Sequence, residues 1–141
     1  MTLMEKLKDY FVSLTATNTV RSNFGAAFAF NTNIFLGVTP ATPTSCVTII
    51  PYAGRPPNPR VKDAYYSSIQ VVVRHSTYKA GWKTTQAIIN SLHLNQNIVT
   101  ASIPSKFYAL QSQPIVMPRD EEEYPMFVAN FDILHTKYTV S

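Results

Sequence analysis

The residues best suited to chemistry in this 141-residue sequence are three histidines, one cysteine and a short acidic run. His75, His93 and His135 lack the close spacing that the ligands of a transition metal usually show. Cys46 stands in the apolar run "SCVTII" without a basic neighbour that would activate it, so we expect a buried, unreactive thiol. The acidic run at 120–123 has neither the spacing nor the glycine of a calcium-binding loop. We therefore expect no catalytic residues, no metal site and no cofactor.

Other signatures of enzymes and membrane proteins are also missing from the sequence. The chain has four glycines and no Gly-rich phosphate-binding loop, and it contains no Gly-x-Ser-x-Gly nucleophile motif. A single cysteine allows no intrachain disulfide, which fits a reducing compartment. No apolar stretch is long enough to span a membrane, and the N-terminus is too charged for a signal peptide. An enzyme is therefore the function class that the sequence favours least, and we expect no membrane partner.

Two charged segments lie between stretches that are typical of strands. In the first, "GRPPNPR", the prolines fix φ and cannot donate backbone hydrogen bonds, so we expect residues 53–63 to protrude as an exposed loop. The second, "RDEEE" at 119–123, is mainly acidic. Loops of opposite charge suit head-to-tail packing of copies, which can close into a ring; two solvated loops are the alternative. The candidate residues of an interface with another subunit are Arg55, Pro56, Pro57, Arg60, Arg119, Asp120, Glu121 and Glu122.

The composition is that of one domain with an unusually uncharged surface. Hydrophobic residues make up 45% of the chain, enough for a core, whereas charged residues make up 14%, well below the usual quarter. Either part of the surface is covered by other chains or it is rich in Ser, Thr, Asn and Gln. The net charge of +4 permits contact with nucleic acid without demanding it, because the basic residues are spread along the whole chain.

Hydrophobic periodicity predicts a helix over residues 2–15 and a second over 76–94. In the first, the apolar residues share one helical stripe, and Thr2 with Glu5 can form a capping box at its start. Such a stripe could lie on a membrane, but in a domain of this kind it is expected to pack on a sheet. In the second, Ser76 or Thr77 can cap the N-terminus. The stripe of the second helix consists of Tyr78, Trp82, Ile89 and Leu92, with Ile88 beside it. Residues 16–33 show no clear period and are predicted to be an irregular connector with partial structure.

The remaining segments alternate like strands, at 33–38, 45–53, 64–76, 106–111, 115–117 and 124–138. Pro51 indicates that the second of these strands stops there or lies at an edge. The expected architecture is a single α+β domain over 1–141, with the sheet and second helix in 34–138. Two helices pack on one face of a mostly antiparallel sheet.

The order of these pieces resembles the tail terminator (tail completion) proteins among the minor capsid proteins of long-tailed bacteriophages. The resemblance spans nearly the whole chain, from "NIFLG" and "YAGRPPNP" through "VVVRHS" and "TYKAGWKTTQAIINSLH" to "ALQSQPIVMPRDEEEYPMFVANFDIL". In that family a glycine and proline punctuation precedes the central strand, and an Arg-Asp-Glu piece precedes a final strand with an Asn-Phe pair. The matching residues here are Gly54, Pro56, Pro57, Arg119, Asp120, Glu121, Asn130 and Phe131.

The resemblance implies a structural virion protein with a fold related to that of the tail tube subunits. Such proteins form a hexameric ring on the last ring of the tail tube, stop its growth and present a surface to the head-side connector. The implied partners are other copies of the chain, the tail tube protein, the connector or stopper protein and, transiently and without sequence preference, DNA in the lumen. The implied location is the neck of the virion, after assembly in the host cytoplasm.

Two other interpretations stay open at the level of sequence. The first is a head-side stopper or adaptor protein of the neck, which would share the structural role. The second is a small nucleic-acid-binding protein, because Tyr65, Tyr66 and Trp82 lie near basic residues and aromatic rings can stack on bases. The spacing of those aromatic residues is also that of core positions, which favours the structural interpretation.

Overall fold

In the part of the chain that the computed structural model describes, one six-stranded sheet carries three helical segments. The described residues are 8–12, 19–25, 28–29, 31–41, 43–52, 64–93, 105–118 and 124–136. The helices are α1 (8–12), α2 (Thr19–Phe24) and α3 (Tyr78–Leu92). The strands are β1 (Ile34–Leu36), β2 (Cys46–Tyr52), β3 (Ala64–Arg74), β4 (Ser105–Ala109), β5 (Ile115–Met117) and β6 (Met126–Thr136).

The sheet has the order β1-β2-β3-β6-β4, and β5 pairs with β6 on the same side as β4. The β1–β2 pair is parallel and the other pairs are antiparallel. The α+β class and the mostly antiparallel sheet predicted from the sequence are therefore confirmed. Pro51 lies in β2 beyond the part that pairs with β1, so its missing N–H faces no partner strand there.

The two eleven-residue strands β3 and β6 form the centre of the sheet. They pair over their full length, from Ala64 opposite Thr136 to Arg74 opposite Met126. Their alternation sends every second side chain to the face that the helices cover. One core cluster joins that face to α1, α2 and α3, and it includes Phe11, Val20, Phe24, Val47, Ile49, Ile69, Val71, Val73, Ile88, Leu92, Ala129, Phe131 and Ile133.

A short helix lies in the segment that the periodicity predicted to be irregular. Helix α2 places Val20 and Phe24 one turn apart, and both side chains are buried. Phe24 also packs edge-on against Phe28, with ring centroids 4.9 Å apart. Six residues are too few to show a period or to form a helix alone, so packing against α3 stabilises this helix. Helix α2 is the structured part of the connector predicted over 16–33.

Helix α3 begins where its sequence predicted and buries Ile88, Ile89 and Leu92 of the predicted stripe. The Thr77 hydroxyl accepts a hydrogen bond from the Ala80 N–H at 3.4 Å, which confirms Thr77 as the N-cap. The buried stripe centres on Ile88, whereas Tyr78 is 48% exposed. Tyr78 lies in the first turn, and its ring packs against Trp82 and Phe127 while about half of the residue stays exposed. Its predicted place in the packed stripe was wrong.

The sheet face opposite the helices is also covered at one end. Arg74 is 5% exposed because the loop 39–45 wraps its guanidinium. The Thr39 hydroxyl donates a hydrogen bond to the Thr48 hydroxyl at 2.9 Å, which attaches the same loop to β2. The sequence predicted helices on one face of the sheet only. At this end the loop covers the other face as well.

One core hydroxyl gives a test of the packing between α3 and the sheet. Thr84 is fully buried, and within the described part of the chain its Oγ1 has no hydrogen-bond partner. Replacing Thr84 with valine keeps the shape and removes a desolvated hydroxyl, so we expect about 1 kcal/mol of stabilisation. Urea unfolding measures this. The matched control is Thr85→Val, where Oγ1 donates to the Gly81 carbonyl at 2.8 Å and no stabilisation is expected.

Candidate functional site

All eight interface residues predicted from the sequence lie outside the described residues. Arg55, Pro56, Pro57 and Arg60 belong to the segment 53–63, which connects β2 to β3. Arg119, Asp120, Glu121 and Glu122 belong to the segment 119–123, which connects β5 to β6. Their assignment as interface residues stays a prediction.

The sheet fixes where these two segments are attached. Segment 53–63 joins β3 at Ala64. Segment 119–123 follows β5, and the last residue of β5, Met117, pairs with Met126 of β6. Met126 in turn pairs with Arg74 at the other end of β3. Ala64 and Arg74 are the two ends of β3, which is about 33 Å long at a rise of about 3.3 Å per residue. The basic and acidic segments therefore leave the sheet near opposite ends of its central strand.

An exposed apolar strand lies beside β6 at the edge of the sheet. All three residues of β5 are exposed: Ile115 by 41%, Val116 by 51% and Met117 by 40%. Leu110, in the turn between β4 and β5, is 57% exposed. Edge strands with exposed apolar side chains favour association with another chain. We call Leu110 and residues 115–117 the apolar edge.

An aromatic surface on α3 adjoins the apolar edge. The rings of Tyr78 and Trp82 stack, with centroids 6.4 Å apart and an interplanar angle of 15°. Phe127 packs edge-on beneath both rings, 5.0 Å from Tyr78 and 6.2 Å from Trp82. Val116 pairs with Phe127 across the two strands, so its side chain shares the face on which the rings lie. We call Tyr78, Trp82 and Val116 the aromatic platform.

The platform depends on a glycine in α3. A Cβ at Gly81 would lie 2.5 Å from Cε2 of Phe127, well inside van der Waals contact. The missing side chain lets Phe127 sit against the helix and hold Tyr78 and Trp82 from below. The sequence contained a signal for this site, because two aromatic residues one turn apart share a helix face. Nothing in the periodicity showed that this face would be exposed.

Two shallow hollows adjoin the same region. One, of about 450 Å³, is lined by Asn23, Trp82, Lys83, Gln86, Ala87, Asn90 and Ser91. The other, of about 460 Å³, is lined by Ile89, Asn90, His93, Ala109, Leu110, Gln111 and Ser112. The linings are rich in amides and hydroxyls, which suits contact with a polypeptide backbone rather than enclosure of a small molecule.

The histidines that the structure describes bind backbone groups. Nε2 of His75 donates to the Phe24 carbonyl at 2.9 Å, and its Nδ1 accepts the Thr77 N–H at 3.3 Å. Nδ1 of His93 accepts the Ala109 N–H at 3.0 Å. Among the described residues no three His, Cys, Asp or Glu side chains are grouped so that they could hold a metal ion. Cys46 is buried and forms no disulfide. Within the described ranges no helix is long and apolar enough to cross a lipid bilayer.

The fold is similar to that of a solved structure at low sequence identity. A chain from the virion of a native gene transfer agent particle superposes with a TM-score of 0.65, over 96% of this chain and 95% of that chain, at 10% identity. The particular family follows from the sequence itself. The family model of the bacteriophage tail terminator protein matches residues 12–137, so the chain belongs to the bacteriophage tail terminator family. No curated protein matches the sequence. The chain is therefore a structural phage protein of the tail or neck and a component of the virion.

Proposed function

We propose that the protein ends tail assembly by forming a ring, expected to be a hexamer, on the last ring of the tail tube. The ring stops growth of the tube and offers its other surface to the head-side connector or stopper protein. The protein acts in the neck of the virion as a single domain, without catalysis, and the ring is assembled in the host cytoplasm. DNA passes through its lumen and touches it transiently, without sequence preference.

The observation that carries the proposal is the family match over residues 12–137. The apolar edge supports a role that depends on contact with other chains, since an exposed edge strand pairs readily with a neighbour. The 14% of charged residues also fits a surface that is partly covered in the assembly. The net charge of +4 suits a lumen through which a polyanion moves.

Reconstitution with tail tubes tests the proposed function. Purified protein is mixed with tail tubes that lack it, and electron microscopy then shows whether a ring sits on one end and whether the tube still elongates. We expect a ring at one end and arrested growth. Tubes that continue to grow and carry no added density contradict the proposal, and density found on isolated heads alone indicates a head-side protein instead.

The basic segment gives a second test of assembly. We expect the double replacement Arg55→Ala, Arg60→Ala to impair capping of tubes while the fold is kept, because these arginines contact a neighbouring chain in the proposed ring. Capping is scored by electron microscopy, and circular dichroism and urea unfolding report the fold. The matched control is Arg21→Ala, which removes an exposed arginine from α2. Normal capping by the double variant would show that these arginines are not interface residues.

A further inference from the structure

We propose that residues 53–63 of one copy, called the arm, dock on the aromatic platform of a neighbouring copy. The inference rests on the proposed ring and adds to it the contact that joins one copy to the next. It names the arm as the occupant of a surface that the described residues leave exposed. The proposal rests on the stacked rings of Tyr78 and Trp82, in a chain that also contains a proline-rich segment.

The chemistry of the arm fits an aromatic surface. Pro56 and Pro59 stand three residues apart in "RPPNPR", which favours an extended polyproline helix. This conformation is stiff in the unbound chain, so little conformational entropy is lost when it binds. Proline-rich segments of this spacing bind grooves lined with aromatic rings, against which the flat pyrrolidine rings pack.

The platform has the features that such a segment requires. Its two rings are held parallel by Phe127, so they are in place before a partner arrives. The hollow of about 450 Å³ continues from Trp82 along α3 to Asn90. Trp82, Lys83 and Asn90 there carry N–H donors, and a proline-rich backbone offers carbonyls that are not used by a sheet or helix. The hollow therefore complements a chain that can accept hydrogen bonds and donates few.

The basic residues of the arm offer a further contact with the aromatic rings. The arm carries Arg55, Arg60 and Lys62 against the single acid Asp63. Lys79 and Lys83 are the described charged residues beside the platform on α3, so the proposed contact depends on packing against the rings and not on attraction between opposite charges. An arginine of the arm can also stack on the face of an aromatic ring.

The topology favours a contact between copies over a contact within one chain. The arm is attached at Ala64, whereas Tyr78 follows β3 just beyond its other end at Arg74. About 33 Å of strand separates the two ends. An arm on one side and its receptor on the other side of the same molecule make a heterologous pair, and repetition of such a pair closes a ring when the rotation allows it.

A peptide titration tests the docking without tubes or rings. The synthetic peptide "AGRPPNPRVK", residues 53–62, contains no aromatic residue, and Trp82 is the single tryptophan of the chain. The emission of Trp82 in the full-length protein therefore reports directly on the platform. We expect a saturable change in emission, and Tyr78→Ala and Val116→Lys should each weaken binding about tenfold or more. The matched control is Val38→Ala, which truncates a residue that is 75% exposed beyond β1, at the other edge of the sheet.

Each outcome of the titration decides the proposal. No saturable change, or equal binding by a peptide in which Pro56, Pro57 and Pro59 are alanine, overturns docking of a proline-rich arm. Equal weakening by Val38→Ala overturns the assignment to the platform. If the protein caps tubes but does not bind the peptide, the docking is contradicted and the proposed function still holds. Protein that binds the peptide but never caps tubes contradicts the proposed function instead.

Discussion

Replacement of Arg74 by leucine is expected to lower the free energy of unfolding by about 3 kcal/mol, because four carbonyl oxygens lose a charged donor. Nε of Arg74 donates to the Thr44 carbonyl at 3.0 Å. A terminal nitrogen donates to the carbonyls of Pro40 at 2.6 Å, Pro43 at 2.7 Å and Ala41 at 3.2 Å. One side chain therefore binds the carbonyls of residues 40, 41, 43 and 44 and holds this part of the loop against the sheet.

A competing effect has to be weighed against this loss. Burial of a guanidinium costs desolvation energy, and well-packed apolar residues can replace buried ionic groups without destabilisation. That compensation requires both partners to be replaced, whereas here the backbone carbonyls of the loop remain. Some of them can turn to water because the loop is only partly buried, which keeps the expected loss near the lower end of the range for a broken buried pair.

Urea unfolding of Arg74→Leu measures the effect, and Arg74→Lys is its matched control. Lysine keeps the positive charge, but a single ammonium cannot reproduce the bonds of both Nε and the terminal nitrogen. We therefore expect an intermediate loss for lysine. A leucine variant that unfolds at the urea concentration of the wild type would show that the buried arginine contributes no net stability.

The central strands and α3 could be predicted from the sequence because their signals are local. Alternation in β3 and β6 places Val71 and Phe131 on one face, and both are fully buried there. The sequence offered Ser76 or Thr77 as the N-cap of α3, and the hydrogen bond from Ala80 shows that it is Thr77. The order of such elements also carried the resemblance to the tail terminator family, which the family match confirms.

Other features depend on contacts between distant residues and could not be predicted in this way. An arginine at the end of an alternating strand is typical of a solvent-exposed position, but Arg74 is buried by a loop that lies thirty or more residues earlier. The short helix α2 exists because Val20 and Phe24 pack on a core formed by later elements. The platform was missed for the same reason, since only the partner strand β6 brings Phe127 under α3.

Replacement of Gly81 by alanine is expected to destabilise the protein by up to about 2 kcal/mol, although alanine is the better helix former. The helix would gain about 1 kcal/mol from the substitution. The new Cβ would lie 2.5 Å from Cε2 of Phe127, 2.9 Å from its Cδ2 and 3.2 Å from Cβ of His75. Overpacking of a filled core costs about 1–3 kcal/mol, and Phe127 has little room to move because it is fully buried.

A double-mutant cycle separates the clash from the helix propensity. Ala80→Gly, one residue earlier in the same helix, is the control for propensity and should cost about 1 kcal/mol. Phe127→Leu reduces the ring that meets the new Cβ, so the double variant Gly81→Ala, Phe127→Leu should be less destabilised than the sum of the single variants. Strict additivity would show that Gly81 and Phe127 do not interact.

The same substitution connects packing to the surface that we propose for docking. Phe127 packs edge-on against Tyr78 and Trp82, so a displaced Phe127 ring should alter the stacking of these two rings. We therefore expect Gly81→Ala to shift the emission of Trp82 in the folded protein and to weaken binding of the arm peptide. Ala80→Gly should leave both unchanged, because its change in stability does not act through Phe127. A loss of peptide binding in both variants would tie binding to overall stability, whereas a loss in Gly81→Ala alone ties it to the geometry of the rings.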